Sequence, residues 1–433
     1  MQKVLNFNTL FGEVYMQVCI FEDINYANFE PLMFSRPVYD LICGVTSLKE
    51  KILRSYGKIN YSLHCRPYLA DIVQKENPDI LINKIDDDHC LFLNGRLIAD
   101  DGLSEMLPLI ETEDKVFVNG ETVIAAYLSG KNLEYKKNHM TDLFSVNDFN
   151  GLPVKILDVS CANYLWDLIN ANGEQISKDY NYLVKQLNRP NYIEQVDASV
   201  NMVVKKNIFI GENVTIKPGV VLDASGGPIF IDDNAVIYPN AVLEGPIYVG
   251  ESSRIKSGAT IYENVTVSKV CKVGGEVEQS IFMPYSNKQH SGFIGHAFIG
   301  SWVNLGADTN CSDLKNNYSK VRVKLSGKEV NSNTQFLGLM IGDHSKSAIN
   351  TMFNTGSVIG FACNIFGSGF PDKYVLSFTW GGAESSLVYN VNKAIKTAKV
   401  VLSRRKINFG QEEENLFRKI YELTESDREK RGM

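Results

Sequence analysis

From residue 210 the apolar positions of the chain recur every six residues. Ile210, Ile216 and Leu222 set the spacing. After a slip of three residues it continues through Ile231, Ile237, Leu243, Val249, Ile255, Ile261, Val267 and Val273. Four places after each comes a small or slim residue: Val214, Val220, Ala235, Ala241, Ile247, Ser253, Ala259, Val265, Cys271, Val277. Neither a helix (period 3.6) nor a simple strand (period 2) has this period. A left-handed parallel β-helix does. Each hexad forms one flat side of a triangular coil, the aliphatic residue points into the prism, and the small residue sits near the corner. Gly211, Gly219, Asn234, Asn240, Gly250, Gly258, Asn264 and Gly274 supply residues that tolerate φ > 0 at corners.

The pattern breaks after Val277 and resumes in frame at Phe293, Ile299 and Leu305, with Ala297, Val303 and Thr309 as small partners. A polar excursion spans roughly 311–336, and the repeat returns at Ile341, Phe353, Ile359 and Ile365, with Ser347 as a weak member. In so regular a solenoid the interruptions, 275–292 and 311–336, are where side chains are expected to meet a ligand.

Residues 16–190 read as mixed α/β. MQVCIFED (16–23), CLFLNG (90–95) and KVFVNG (115–120) are strand-like, and TSLKEKILRSYG (46–57) is helix-like, with a Thr cap and a Gly stop. Residues 153–190 read as helical. A helix over 384–404 places Leu387, Val391, Ile395, Ala398 and Leu402 on one stripe, and another over 411–424 carries Leu416, Ile420 and Leu423. The closing SDREKRGM is expected to fray. These readings divide the chain into an extension (1–15), an α/β domain with linker helices (16–190), a β-helix (195–372) and a helical tail (373–433).

Composition narrows the classes. The 433 residues are 44% hydrophobic and 22% charged, ordinary for a globular protein. A net charge of −6 argues against a nucleic-acid coat. No stretch reaches the ~20 apolar residues of a membrane span, and the first fifteen residues make a poor signal peptide. The eight cysteines are scattered with no CxxC pair, which argues against a cysteine metal cluster or disulfide framework and suits a reducing cytoplasm.

The hexad array followed by GGEVEQSIFMPYSNKQHSGFIGHAFIGSWVNLGADTNCSDLKNNYSKVRV (274–323) resembles the sugar-nucleotide members of the hexapeptide-repeat acyltransferases. It is similar in particular to the bifunctional family that acetylates glucosamine 1-phosphate and then uridylylates it, and to two-domain sugar nucleotidyltransferase homologues. The resemblance is strong over about 200–370 and weaker over 16–130. It implies that His290, in KQHSGFIG, is the base that deprotonates an attacking amine, a role suited to imidazole near neutral pH. It implies Asn287 and Lys288 as grips for the sugar phosphate, with Lys315, Asn316, Asn317 and Tyr318 reaching the same pocket from a partner loop. Backbone N–H groups at Gly306 and Ala307, in NLGA, would serve the thioester oxygen or the pantetheine arm. Two departures bear on sugar specificity: Phe293 stands where the family has Tyr, and Cys311-Ser312-Asp313-Leu314 where it has Cys-Asn-Tyr-Asp.

Each assignment has a plainer counterpart. A lone His in a repeat protein is commonly a solvated corner residue. Glu276 and Glu278 are either substrate ligands or solvated acids on a coil edge. His296 and His344 read as structural. Arg404 and Arg405 suit the end of a helix better than the 3′-phosphate of coenzyme A.

The N-terminal segment resembles sugar-phosphate nucleotidyltransferases with their working parts exchanged. Pro31-Leu32-Met33-Phe34-Ser35-Arg36-Pro37 keeps the frame of the family's Pro-Leu-Thr-x-x-Arg-Pro-Lys, but Val38 replaces the lysine. Residues 22–30, EDINYANFE, hold no glycine where the family's phosphate loop is Gly-rich. Asn94-Gly95 is followed by Arg96 where the family's metal-binding Asp stands. Two readings remain open. The domain binds a nucleotide or sugar phosphate through Arg36, Asn94 and Arg96 without full transfer or only scaffolds the solenoid, or it transfers with other acids such as Asp23, Asp100 or Asp101. The plainer reading of Arg36 and Arg96 is salt bridges inside the domain.

The resemblance therefore implies an acetyl-CoA-dependent transferase acting on a sugar or amino-sugar phosphate. Mg²⁺ and a nucleoside triphosphate are required only if the N-terminal domain is active, making a UDP- or dTDP-sugar. A cytoplasmic homotrimer without nucleic-acid or membrane partners is implied as well. A non-catalytic trimeric binding protein is the contrasting expectation.

Overall fold

A computed structural model describes residues 16–110 and 113–433. The extension read over 1–15 lies outside the described residues. Two compact units emerge. One holds the residues up to Tyr26, Arg36–Asp40 and Ser47–Asn163; the other holds Ala27–Ser35, Leu41–Thr46 and Tyr164–Met433.

The first unit is Rossmann-like. Its seven-stranded sheet runs in the order Leu81–Ile82, Tyr61–His64, Gln17–Phe21, His89–Asn94, Thr122–Ser129, Lys115–Asn119, Val154–Ile156. The first four strands are parallel and Thr122–Ser129 is antiparallel to its neighbours. The central strands are buried on both faces and read as near-continuous apolar runs, as parallel strands do. Phe21, Phe92, Phe144 and Phe149 form one face of the core, with ring centroids 5.1–6.5 Å apart. The helix Leu48–Tyr56 is capped by Ser47, not Thr46: Ser47 and Glu50 exchange the two hydrogen bonds of a capping box. The segment 153–164 is not helical. Val154–Ile156 joins the sheet edge, and the helix begins only at Leu165, in the second unit.

The second unit is built around a left-handed β-helix. Its three sides are parallel ladders that begin with Asn201–Val203, Ile208–Ile210 and Thr215–Ile216. Ile229 pairs with Ile247 and Ile247 with Val265, eighteen residues on each time, so three hexads close one coil. The predicted inward positions Ile210 to Val273 line a continuous core, with Ile216 packed partly buried against it. Here each hexad's aliphatic side chain is removed from water, worth on the order of 1.5–3 kcal/mol apiece against an exposed reference.

The expected interruption at 275–292 is not a break in the solenoid. Val273 pairs with Lys288 and Val267 with Phe282, fifteen residues on, so the coils shorten and the ladders continue. The shortening moves the frame: Ile294, not Phe293, points inward, and Phe293 lies half-buried on the outside. The excursion after Cys311 is real and holds the antiparallel hairpin Arg322–Leu325 and Lys328–Asn331.

Helix Leu165–Tyr180 docks on the solenoid by a buried amide. Asn172 Oδ1 accepts from Gly44 N at 2.7 Å and Thr266 Oγ1 at 3.1 Å, and its Nδ2 donates to Asn264 O at 2.8 Å. A Cβ on Gly173 would fall 1.7 Å from Asn264 Oδ1, so only glycine permits this approach. Toward the end of the chain the first tail helix is Val391–Ser403. Leu387 belongs instead to the strand Ser386–Val388 and is 65% exposed. Gln411–Leu423 buries Leu416, Phe417 and Ile420. Phe417 packs edge-on to Phe361 at 4.8 Å. The terminal residues do not fray: Glu425–Lys430 is helical, and buried Arg428 stacks on Tyr421 at 4.0 Å.

Candidate functional site

In the first unit the strands Gln17–Phe21 and His89–Asn94 end side by side, the place where open α/β sheets bind ligands. Glu22 and Asp23 stand there. Arg66 takes Glu22 in a fork, Nε to Oε2 and Nη2 to Oε1, both at 3.0 Å, and Val38 N also donates to Oε1. Arg96 takes Asp23 in the same way, Nε to Oδ1 at 2.9 Å and Nη2 to Oδ2 at 2.6 Å. Its remaining nitrogen donates to Ala162 O at 2.6 Å and Asn163 Oδ1 at 3.0 Å. Arg96 is 1% exposed. Bidentate pairs of this kind are strong and directional.

The arginine read as a phosphate ligand is thus turned inward. Asn94 is fully buried with it and donates to Asp23 Oδ2 at 3.1 Å and Val123 O at 2.7 Å. These residues do not fit Mg²⁺: the carboxylate that would ligate it already holds a guanidinium. Arg36 is half-buried and offers its carbonyl to Arg66. Asp100 and Asp101 are exposed, with Arg54 3.7 Å from Asp101.

On the solenoid, His290 lies at the corner between the third and first sides. It is exposed, and among the described residues no side-chain hydrogen bond holds its ring. Lys288, read as a phosphate grip, occupies an inward position instead. It is 1% exposed, and its Nζ donates to Gly274 O at 2.8 Å and His290 O at 3.0 Å. Burial lowers its ammonium to about 8 despite the opposing pull of Asp308 and Glu276. Lys288 therefore ties the His290 corner to the coil beneath.

Asn287 pairs with Lys272 and Asn304 along the third side, and among the described residues its buried Oδ1 has no hydrogen-bond partner. Glu276 is exposed and in register with Phe293. Gly306 does not offer a free N–H, since that group donates to Ser347 Oγ at 3.0 Å. Ala307 gives its carbonyl to Asn350. Asn316, Asn317 and Tyr318 are exposed on the excursion, and Lys315 Nζ donates to Lys320 O at 2.9 Å.

The first side brings together a second group, whose His296 the sequence reads as structural and whose Glu278 it reads as either a substrate ligand or a solvated acid. His296 Nδ1 lies 2.7 Å from Asp313 Oδ2 and 3.8 Å from Glu278 Oε1. His296 and Asp313 are buried and Phe336 stacks on the imidazole at 5.1 Å. Burial raises the Glu278 carboxyl, and so do the charge and hydrogen bond of Asp313; His296 opposes this. The three residues are seventeen or eighteen apart, close to one coil. That spacing was the available signal, because in a solenoid residues one coil apart are stacked neighbours. The eight cysteines are free.

The resemblance seen in the sequence holds against known proteins. Residues 18–188 match the family described as sugar nucleotidyl transferase. The chain is 30% identical over 233 residues to the bifunctional sugar-1-phosphate nucleotidylyltransferase/acetyltransferase of Sulfurisphaera tokodaii, covering 46% of this chain and 58% of that one. It is 23% identical over 305 residues to the bifunctional protein GlmU of Wigglesworthia glossinidia brevipalpis, covering 61% and 62%. The chain thus spans less than two thirds of either relative. Among solved structures, an Arabidopsis UDP-N-acetylglucosamine acyltransferase aligns at 12% identity and a TM-score of 0.32, over 49% of this chain and 79% of that one. No helix among the described residues is long and apolar enough to cross a membrane.

Proposed function

We propose that the protein is a transferase that moves an acetyl group from acetyl-CoA to a sugar or amino-sugar phosphate on the solenoid, with His290 as base. One observation carries the placement of the chemistry: the acids at the ligand-binding end of the N-terminal sheet are closed by Arg66 and Arg96, whereas the His290 imidazole stands exposed and unpartnered. The substrate nitrogen attacks the thioester carbonyl carbon, the C–S bond breaks, and His290 takes the amine proton and returns it to the departing thiolate. Exposed Glu276, Asn316, Asn317 and Tyr318 are proposed to contact the sugar phosphate, together with Asn287 and Lys315. Lys288 is assigned to supporting the corner. The active form is proposed to be a cytoplasmic homotrimer.

The match over 18–188 favours a second reading, nucleotidyl transfer by the N-terminal unit. It requires Asp23 to leave Arg96. Incubation with acetyl-CoA and a panel of amino-sugar phosphates, read by free thiol, separates the two. Sugar-dependent release that His290→Ala abolishes supports acyl transfer. No thiol release, with Mg²⁺-dependent pyrophosphate release from a nucleoside triphosphate and a sugar 1-phosphate, replaces it with the second reading.

A further inference from the structure

Glu278, His296 and Asp313 come from three successive coils of the first side. Glu278 ends the strand Glu276–Glu278 and is in register with Gly295; Ile294 pairs with Cys311 on the next coil. The backbone of His296 is held from both sides: its N–H donates to Glu278 O at 3.3 Å, and its carbonyl accepts from Gly338 N at 3.0 Å. One ligand atom from each of the three side chains lies within 4.8 Å of the others.

Two features make this more than a chance meeting of acids. The first is charge. Among the described residues neither Glu278 nor Asp313 forms an ion pair with a lysine or arginine; the cationic partner both share is His296, when it is protonated. Two carboxylates sharing one imidazole are short of at least one positive charge even when His296 is protonated, so the arrangement can accept a cation. The second is space. Gly295 has a φ that other residues could adopt, so its backbone does not demand glycine. A Cβ there would lie 2.4 Å from Asp313 Oδ2 and 3.1 Å from Glu278 Oε1, so the missing side chain is what lets both carboxylates converge.

We propose that Glu278, His296 and Asp313 bind one divalent first-row transition ion, such as Zn²⁺ or Mn²⁺, as a clasp across three coils. One imidazole nitrogen with two carboxylates is a donor set such ions accept, whereas Ca²⁺ and Mg²⁺ prefer oxygen alone. Ligand atoms about 2.0–2.2 Å from an ion lie roughly 3–3.5 Å apart. The 2.7 Å contact is a hydrogen bond between His296 Nδ1 and Asp313 Oδ2, whose proton would leave to solvent when an ion enters, and the 3.8 Å contact to Glu278 Oε1 lies just beyond that spacing. The ion would anchor Asp313 at the start of the excursion that carries Lys315 to Tyr318.

The test is calorimetric titration of the full-length protein, stripped with a chelator, with ZnCl₂. One ion per chain is expected, with at least tenfold weaker binding in His296→Ala and in Asp313→Asn. Gly295→Ala should weaken it equally while leaving all three ligands in the chain, and His290→Ala should leave it unchanged. Where His296→Ala does not fold, Glu278→Gln, at a half-buried carboxylate, takes its place. Absence of saturable one-to-one binding overturns the proposal. So does equal binding by the variants, or an NMR titration showing His296 held as imidazolium between the acids with no ion bound. Binding is read without sugar or acetyl-CoA, so its failure leaves acyl transfer standing, and failure of thiol release leaves the ion site standing.

Discussion

Glu22 and Asp23 on the N-terminal sheet and Glu278 and Asp313 on the solenoid are both pairs of acids brought together by the fold, all buried except the half-buried Glu278. In the first pair each carboxylate meets its own arginine in a two-pronged hydrogen bond. In the second, both acids face one imidazole. The first corner is balanced within the fold and has little left to offer a ligand. The second has a single imidazole between two acids, and the proposed ion would supply the remaining positive charge. The lesson is that acids at the expected end of a sheet are not a site once the fold has neutralised them.

The largest effect that would break this contrast is expected at Arg96. Arg96→Leu leaves Asp23 buried without its guanidinium and should destabilise the first unit by about 3–5 kcal/mol. Urea unfolding followed at the N-terminal unit measures it, and a loss under about 1 kcal/mol would show that Asp23 is not held by this pair.

The inward Lys288 sharpens the contrast from the other side, as a buried cation that among the described residues meets carbonyls and no carboxylate within bonding distance. Its folded value of about 8 lies below the ordinary lysine value of 10.5. The unfolded chain therefore binds more protons between those values, and Lys288 makes stability rise with pH across about 8 to 10.5. Below pH 8 its burial costs roughly 3 kcal/mol, about 2.5 pH units at 1.36 kcal/mol each. The difference in stability between the wild type and Lys288→Met should change by that amount between pH 7.5 and 10.5. A flat difference would mean that Nζ reaches water.

A smaller effect is expected at Glu278, whose carboxyl is raised by burial and by Asp313. A raised acid lends its stability at low pH and loses it as pH rises through the folded value, so the ionised form weighs against folding at neutral pH. In metal-free protein, Glu278→Gln should raise stability by a small amount at pH 7, because solvent screens a half-buried carboxylate, and by less at pH 4. Thermal melts at the two pH values decide this. The smallest effect belongs to Glu276, one strand position away from the cluster but exposed. Glu276→Gln should change stability by less than about 0.5 kcal/mol while raising the substrate concentration needed for thiol release. A stability change as large as that of Glu278→Gln would place Glu276 in the same charge cluster.

The sequence reading found the solenoid because a six-residue period has a direct geometric cause, and the aliphatic residues from Ile210 to Val273 report it one by one. It missed the frame shift before Ile294, because a coil shortened to fifteen residues changes which neighbour points inward without altering composition. The family resemblance implied Lys288 as a ligand, but the ladder that pairs it with Val273 places it in the prism. Arg96 shows the converse. Its replacement of a family acid was legible, but its pairing with Asp23 depends on two strands that meet only when the sheet forms.

By itself the chain determined the kind of architecture, the apolar strands of an α/β sheet followed by a six-residue solenoid repeat, since these follow from spacing and side-chain size. The tertiary structure decided which polar residues meet. Arg66 reaches Glu22 across forty-four residues and Arg96 reaches Asp23 across seventy-three. His296, Glu278 and Asp313 are brought together by the length of a coil. Such meetings are set by strand register, and a shift of one residue would turn each side chain to the other face.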